Sequence, residues 1–260
     1  MVALGINTNI KFSVVTVCFN AEEVISKTIE SVLKQTYAPY EYLIVDGASS
    51  DKTVAIAKSY TNLFDKKGIR YIITSEKDSG IYNAMNKGIK SATGDFISFL
   101  NAGDWYMPDA LLKVHNFYQE APFDLTYGSL NYINPDNTIT VKTSRLDTFP
   151  VTSRHWNHPS MFLKREIYQK YGFDERFKAY ADFHLYTKLR KNPAIKIRVI
   201  KEIITNFPAN GISTDVKLSK VLARGKEKYQ IYRDNGYSIF YWIESYGWEI
   251  LKSIYFRIKS

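Results

Sequence analysis

Acidic and amide side chains recur at one kind of place in the first 104 residues, after an apolar run. Asn20 and Glu22 follow FSVVTVC, Asp46 follows YLIV, Glu76 and Asp78 follow IRYIIT, and Asp104 follows FISFL. If those runs are parallel strands of one sheet, the polar groups share its carboxyl rim, where open α/β sheets bind ligands. Carboxylates gathered on a rim repel one another unless something cationic lies among them. Hard oxygen ligands suit Mg2+ or Mn2+, and a divalent ion bridging a diphosphate would meet the need. A single Asp at a strand end is more simply a turn or N-cap residue. It is the set in register that favours a site.

The elements that would carry these groups follow from hydrophobic pattern. Phe12 to Cys18 is β-branched and apolar and predicts a buried strand. Asn20 is placed to cap a helix, and Ile25, Ile29, Val32 and Leu33 share one face of it. Further strands are expected over 42–45, 69–74 and 96–100, with helices over 54–60, 81–91 and after Pro108. Strand and helix thus alternate with short connections. The fold class is α/β, a mainly parallel sheet flanked by helices. Beyond Asp124 the pattern loosens. DLTYGSLNYI and TITVKT read as a small antiparallel addition, joined by a turn at Asn134–Asn137. A loop covers 145–160. Helices are expected near 164–171 and 182–191, a strand near 195–200, and a helical tail from Asp215.

The ordered runs VVTVCFNAE, YLIVDGASSDKT, SEKDSGIYNAMNKGI and GDFISFLNAGDWYMPDALL resemble the family 2 glycosyltransferases, which have the Rossmann-like GT-A fold. HPSMFLKREIY and FDERFKAYADFHLYTKL extend the resemblance to about Arg190. It implies an inverting enzyme that moves a sugar from a nucleotide-sugar donor, UDP-linked, to the hydroxyl of a saccharide or lipid-linked acceptor. Such chemistry serves cell-surface polysaccharide or glycolipid assembly. The implied organisation is a GT-A domain over 1–213, with a nucleotide-binding half at about 12–120 and an acceptor half at about 121–213. Residues 214–260 form a basic, aromatic tail.

Roles transfer position by position. The segment holding Thr16, Phe19, Asn20 and Glu22 resembles the loop that holds the nucleotide. Asp46 matches the acidic residue that accepts from the base, and an ionised carboxylate suits the N3–H of uracil. Lys77 and Asp78 lie where the family closes over the nucleotide. Asp104 matches the last acidic residue of the family's Asp-x-Asp metal motif and would meet Mn2+ or Mg2+. The sequence departs from that motif at Asn101 and Gly103, so one charged ligand remains, and the Asn101 amide is left for ribose or a water. Gly47 and Ala48 also stand where many relatives have Asp-Gly. The family's Glu-Asp pair becomes Ala181-Asp182, which makes Asp182 the expected catalytic base. His158, in NHPSMF, and Trp105 are candidate acceptor or phosphate contacts. Trp105 and Trp156 could each stack on a sugar or pack in the core. Lys164 and Arg165 fit a solvated face.

The formal net charge is +9. From residue 216 onward nine basic residues face four acidic ones, so more than half of the excess lies in the tail. GYSIFYWIESYGWEILKSIYFRIKS alternates aromatic and basic residues. That suits an anionic membrane surface, and equally a helix packed on the core or on a second subunit. Cys18 is the only cysteine, which excludes an internal disulfide or thiolate zinc site. The first residues do not read as a signal peptide, and no run approaches the length of a spanning helix. The expected location is cytoplasmic, peripheral at the inner membrane face. Two other classes compete. A sugar-1-phosphate nucleotidyltransferase would want a Gly-rich, basic triphosphate loop, which VTVCFNAEE lacks. A module binding anionic polymers finds support only in the tail, and nucleic acid is not an expected partner.

Overall fold

The computed structural model describes residues 9–208 and 217–259. The reading of the extreme N-terminus and the boundary at 213/214 lie outside the described residues, as do the side chains of 252 and 255–259. Four strands lie parallel at the start of the sheet: β1 (Phe12–Cys18), β2 (Glu41–Asp46), β3 (Arg70–Ser75) and β4 (Phe96–Phe99). Every residue of β1, β2 and β4 is buried, as continuous apolar runs require when helices cover both faces. Alternate residues serve opposite cores. Val15, Val17, Leu43 and Val45 join one, and Phe12, Val14, Tyr42 and Ile44 join the other. Five helices connect or follow these strands: α1 (Ile25–Leu33), α2 (Thr53–Ser59), α3 (Thr61–Lys66), α4 (Ile81–Ser91) and α5 (Ala110–Glu120). In α1, Ile25, Ile29 and Val32 recur at helical spacing and are fully buried.

Asn20 does not cap α1. The helix begins at Ile25 after Val24, and Asn20 instead sits in a left-handed conformation with φ 47°. Asn tolerates that region better than other non-glycine residues. Its Oδ1 accepts the Ser50 N–H at 2.9 Å, which ties the turn after β1 to the turn after β2.

The amino ends of the parallel strands meet on Glu41, which is fully buried. Its carboxylate accepts from Ser13 Oγ at 2.6 Å, Thr93 N at 2.5 Å, Thr93 Oγ1 at 2.9 Å and the Arg70 guanidinium. Burial alone would raise its pKa, but these donors outweigh it and hold the group below the usual range. A depressed folded pKa contributes stability above the unfolded value and loses it as pH falls through the folded one. Glu41→Gln should therefore lower the unfolding free energy by about 2 kcal/mol near neutrality. The gap to the natural protein should close below about pH 4. Urea unfolding at both pH values checks this, and an undiminished gap in acid would refute it.

The sheet then turns mixed. β6 (Leu125–Ile133) runs antiparallel to β8 (Met161–Lys164), which runs antiparallel to β4; β9 (Ile197–Pro208) is parallel to β6. The order is β3-β2-β1-β4-β8-β6-β9-β5, where β5 is Trp105–Tyr106, and β7 (Ile139–Lys142) pairs with β6 as the expected hairpin. β9 runs eight residues past the expected end at 200. Lys201 and Glu202 are exposed polar residues at a register shift against β6, and beyond them the chain resumes pairing with both β6 and β5. Helices α6 (Arg165–Tyr171) and α7 (Ala181–Arg190) complete the second half.

The described part of the tail packs on this body. α8 (Leu218–Asp234) buries Val221, Ile231 and Tyr232, and Tyr232 lies against Phe183 of α7. A π-helical turn at Ile243–Gly247 leads into α9 (Trp248–Lys259). No helix among the described residues is long and apolar enough to cross a membrane.

Candidate active site

A cavity of about 830 Å3 opens beyond β4, walled by the 101–104 turn, α4, the His158 turn, the start of α7 and the start of α9. Asn101, Asp104, His158 and Asp182 all line it. Phe19, Asn20, Glu22, Asp46, Lys77 and Asp78 lie outside its lining, at or beyond the ends of β1, β2 and β3, and so does Thr16, within β1.

Asp182 sits in the first turn of α7, where a carboxylate also complements the helix dipole. Its Oδ1 accepts the Tyr82 hydroxyl at 2.9 Å and its own Phe183 N–H at 2.8 Å. His158 Nδ1 is 3.2 Å from Oδ2. Burial lowers the His158 pKa more than Asp182 raises it, so the ring is neutral near pH 7. A neutral ring that donates from Nδ1 leaves Nε2 as acceptor, and Nε2 is buried with no partner. Burial and then Asp182 push the Tyr82 phenol well up, so it stays protonated and donates. The carboxylate is thus oriented from two sides.

The segment before α7 is fixed from two directions. Glu227 of α8 accepts three successive backbone N–H groups, from Lys178 at 3.1 Å, Ala179 at 2.8 Å and Tyr180 at 2.7 Å. Glu175 accepts from Ser79, Asn83 and Asn86 at the head of α4. Removing Glu227 would release the loop that aims Asp182. Glu227→Ala should reduce kcat by about tenfold or more, because small misplacements of a reacting group are costly. The KM for the donor should hold, since Glu227 touches no nucleotide-side residue. Steady-state kinetics with varied donor checks the split, and a rise in KM alone would contradict it.

Asp104 is 6% exposed, and its carboxylate makes no hydrogen bond or ion pair among the described residues. Burial pushes its pKa well above the ordinary range with no opposing charge. Asn101 Oδ1, on the same turn, is buried and unpartnered. The turn itself is held by Thr28, whose Oγ1 donates to the Asp104 carbonyl and accepts the Gly103 N–H. No three His, Cys, Asp or Glu side chains form a cage among the described residues. Two side chains with unsatisfied oxygens in a cavity wall fit a cation that takes its remaining ligands from a diphosphate and water.

The other strand-end residues form a second group. Asp46 is fully buried and accepts from Ser49 N at 2.9 Å, Ser75 Oγ at 2.6 Å and the Ser49 hydroxyl. Glu22 and the 51–53 turn exchange bonds, Lys52 N to Glu22 Oε2 at 2.9 Å and Glu22 N to Asp51 Oδ2 at 3.0 Å. A side chain at Gly47 would meet Asp78 Oδ2 at 2.6 Å and the Phe19 ring at 3.4 Å, so Phe19 and Asp78 converge across it. Phe19 keeps 64% exposure, which leaves its ring open to a planar partner. Thr16 lies inside β1 and donates to the Leu100 carbonyl at 2.7 Å, which anchors the end of β4. The Lys77 carbonyl accepts from Lys87, whose ammonium also pairs with Glu76 at 2.9 Å. Trp105 is turned away from the cavity lining, with the Lys27 ammonium 3.1 Å over its ring. Trp156 lines the cavity and stacks on Tyr186. Lys164 pairs with Asp124 at 2.8 Å, and Arg165 donates to the Gly94 carbonyl.

Tyr82, Glu227, Arg154, Trp248 and Glu249 were not singled out from sequence. Arg154 and the two α9 residues line the cavity, and Glu249 is buried against Arg224 at 2.7 Å. Tyr82 reads in sequence as one more apolar position on α4.

The family model for glycosyl transferase family 2 matches residues 13–193. The PGL/p-HBAD biosynthesis glycosyltransferase of Mycobacterium tuberculosis is 30% identical over 218 residues, covering 82% of this chain and 83% of its own. The fold is similar to S. aureus TarS 1-349 in complex with UDP, with a TM-score of 0.65, 17% identity and 96% and 92% of the two chains covered. It is also similar to the mannosyltransferase PcManGT of Pyrobaculum calidifontis in complex with GDP-Man and Mn2+, at TM-score 0.66, 16% identity and coverage of 95% and 74%.

Proposed function

The chain belongs to the family 2 glycosyltransferases, and from that premise we propose that it is an inverting enzyme that moves a sugar from a UDP-linked donor to an acceptor hydroxyl, with Asp182 as base. The observation that carries this is the pairing of two different carboxylates across one cavity. Asp104 is buried and uncompensated, whereas Asp182 is aimed by Tyr82 and His158.

The division of labour follows from those environments. The acceptor hydroxyl gives its proton to Asp182 while its oxygen bonds to the anomeric carbon, and the bond from that carbon to the diphosphate oxygen breaks. Tyr82 and His158 hold the carboxylate and stabilise its orientation. Asp104 and Asn101 would hold a divalent cation, Mn2+ or Mg2+. When bound, such a cation supplies positive charge against the negative charge gathering on the departing diphosphate. Phe19 and Asp78, which converge across Gly47, would hold the base, and Asp46, expected from sequence to accept the uracil N3–H, would instead brace the turn beneath it through Ser49 and Ser75, since it is fully buried. Residues 12–120 would then serve the nucleotide and 121–213 the acceptor, with the 214–260 tail adding Trp248 and Glu249 to the acceptor wall.

The relative's role in PGL/p-HBAD biosynthesis supports a place in cell-surface polysaccharide or glycolipid assembly. The reaction would run on the cytoplasmic side, where nucleotide sugars are made available. Calorimetry with UDP-, GDP- and dTDP-sugars in Mn2+ tests the donor. The expected result is metal-dependent heat with UDP-sugars only. Heat with another nucleotide would move the donor, and no metal-dependent heat at all would remove the reading.

A further inference from the structure

A second cavity, of about 480 Å3, lies between the Phe149–Pro150 loop and the turn that leads into α9. Its volume is within the range of small-ligand sites. The walls are mostly apolar, with Arg154, Glu244 and Ser238 among them, and they are open to water: Phe149 is 83% exposed, Phe240 73% and Ile243 58%. Large apolar residues clustered on a surface mark a binding surface. The groove adjoins the catalytic cavity and shares part of its wall. Arg154, Trp248 and Leu251 line both.

The junction has its own chemistry. The Arg154 guanidinium stacks 4.8 Å from the centre of the Trp248 ring and donates to Glu244 at 2.8 Å. Its Nε is buried and has no partner, and neither has Glu244 Oε1 beside it. A donor left in that state asks for an acceptor from the occupant. From the groove to the neighbouring cavity the lining passes from an apolar trough to one cationic donor in the shared wall and then to the Asp182 carboxylate. That order matches a molecule with a hydrocarbon end, a polar or anionic junction and a reactive hydroxyl. A second copy of this chain or a flat bilayer could cover the rim, but neither would use a trough set against the cavity of the catalytic base.

We infer that the Phe149–Phe240–Ile243 groove holds the hydrocarbon portion of an amphiphilic acceptor, whose linking group meets Arg154 and whose hydroxyl enters the catalytic cavity. The inference rests on the glycosyltransferase reading of Asp182 and extends it to the acceptor class.

The test uses the whole chain and decyl phosphate below its micelle concentration, with inorganic phosphate as control. Calorimetry should show decyl phosphate binding about tenfold or more tighter than phosphate, from burial of the chain. Phe240→Asp and Ile243→Asp, both at exposed positions, should each lose about tenfold in decyl phosphate affinity. Both should bind UDP with Mn2+ as the natural protein does. Equal affinity in all three proteins would overturn the inference, as would decyl phosphate binding no better than phosphate. A dimer that both variants convert to monomer would assign the groove to a second copy. Binding confined to phosphatidylglycerol vesicles, with none to monomeric decyl phosphate, would assign it to a bilayer. Decyl phosphate binding without any UDP binding would strike the donor reading and leave the groove standing.

Discussion

Asp182→Asn is expected to lower the transfer rate by at least about a hundredfold while leaving UDP binding within twofold of the natural protein. The substitution keeps the size of the side chain and removes its basicity. Asn can still accept the Tyr82 hydroxyl, so α7 and its neighbours should fold as before. The amide cannot take a proton from an attacking hydroxyl, and a positioned base contributes about two to four powers of ten. Tyr82→Phe is the informative companion. It leaves the carboxylate in place but removes one of its two lateral supports, so a smaller loss, about tenfold, is expected in kcat. Single-turnover rates with a saturating UDP-sugar and Mn2+ measure the chemical step directly. Full activity in Asp182→Asn would take that residue out of the mechanism. An equal loss in both variants would shift weight to the Tyr82 hydroxyl.

The parts of this arrangement differ in how visibly the sequence carries them. β1, β2 and β4 could be read because a strand buried on both faces is a continuous apolar run, and the register of their polar ends follows from the parallel sheet. β5 and β8 could not: two residues are too few to show a period, and the four of β8 run straight into α6 with no turn between them. β9 was cut short in sequence by Lys201 and Glu202, whose polarity reflects a register shift and not an end. Asp104 was legible from its place after β4, and its isolation became visible only with Asn101 unpartnered beside it. Asp182 depended on resemblance to a family, because one Asp early in a helix is ordinary. Its support by Tyr82, 100 residues away, and the hold of Glu227 on the 178–180 backbone have no local signature. Such contacts join distant segments, and no spacing rule reaches that far. The basic, aromatic tail admitted a membrane or a core reading. The fold buries Tyr232 and Tyr241 in the core and leaves Phe240 and Ile243 exposed.

Asp104→Asn should separate two effects that usually travel together. In the ligand-free protein the variant is expected to be at least as stable as the natural one. A buried carboxylate with no partner costs free energy that a neutral amide of the same size avoids. With Mn2+ and UDP present the order should reverse. A ligand that binds only the folded state at about a hundred times its Kd adds about 2.7 kcal/mol, and the natural protein should gain this as a rise in Tm. The variant should gain little, because the one charged oxygen on that wall is gone and Asn101 alone offers a weak site. Transfer should fall by about a hundredfold or more, the scale set by losing one preorganised electrostatic contact to the departing group. Thermal melts with and without Mn2+ and UDP, beside turnover, give both readouts. Asn101→Ala supplies the control, since it removes a neutral ligand and should cost less on each. If Asp104→Asn kept the full metal-dependent rise in Tm, Asp104 would not be the cation's ligand. The isolation of its carboxylate would then need another partner, such as a sugar hydroxyl of the donor, and turnover would fall without any change in metal dependence.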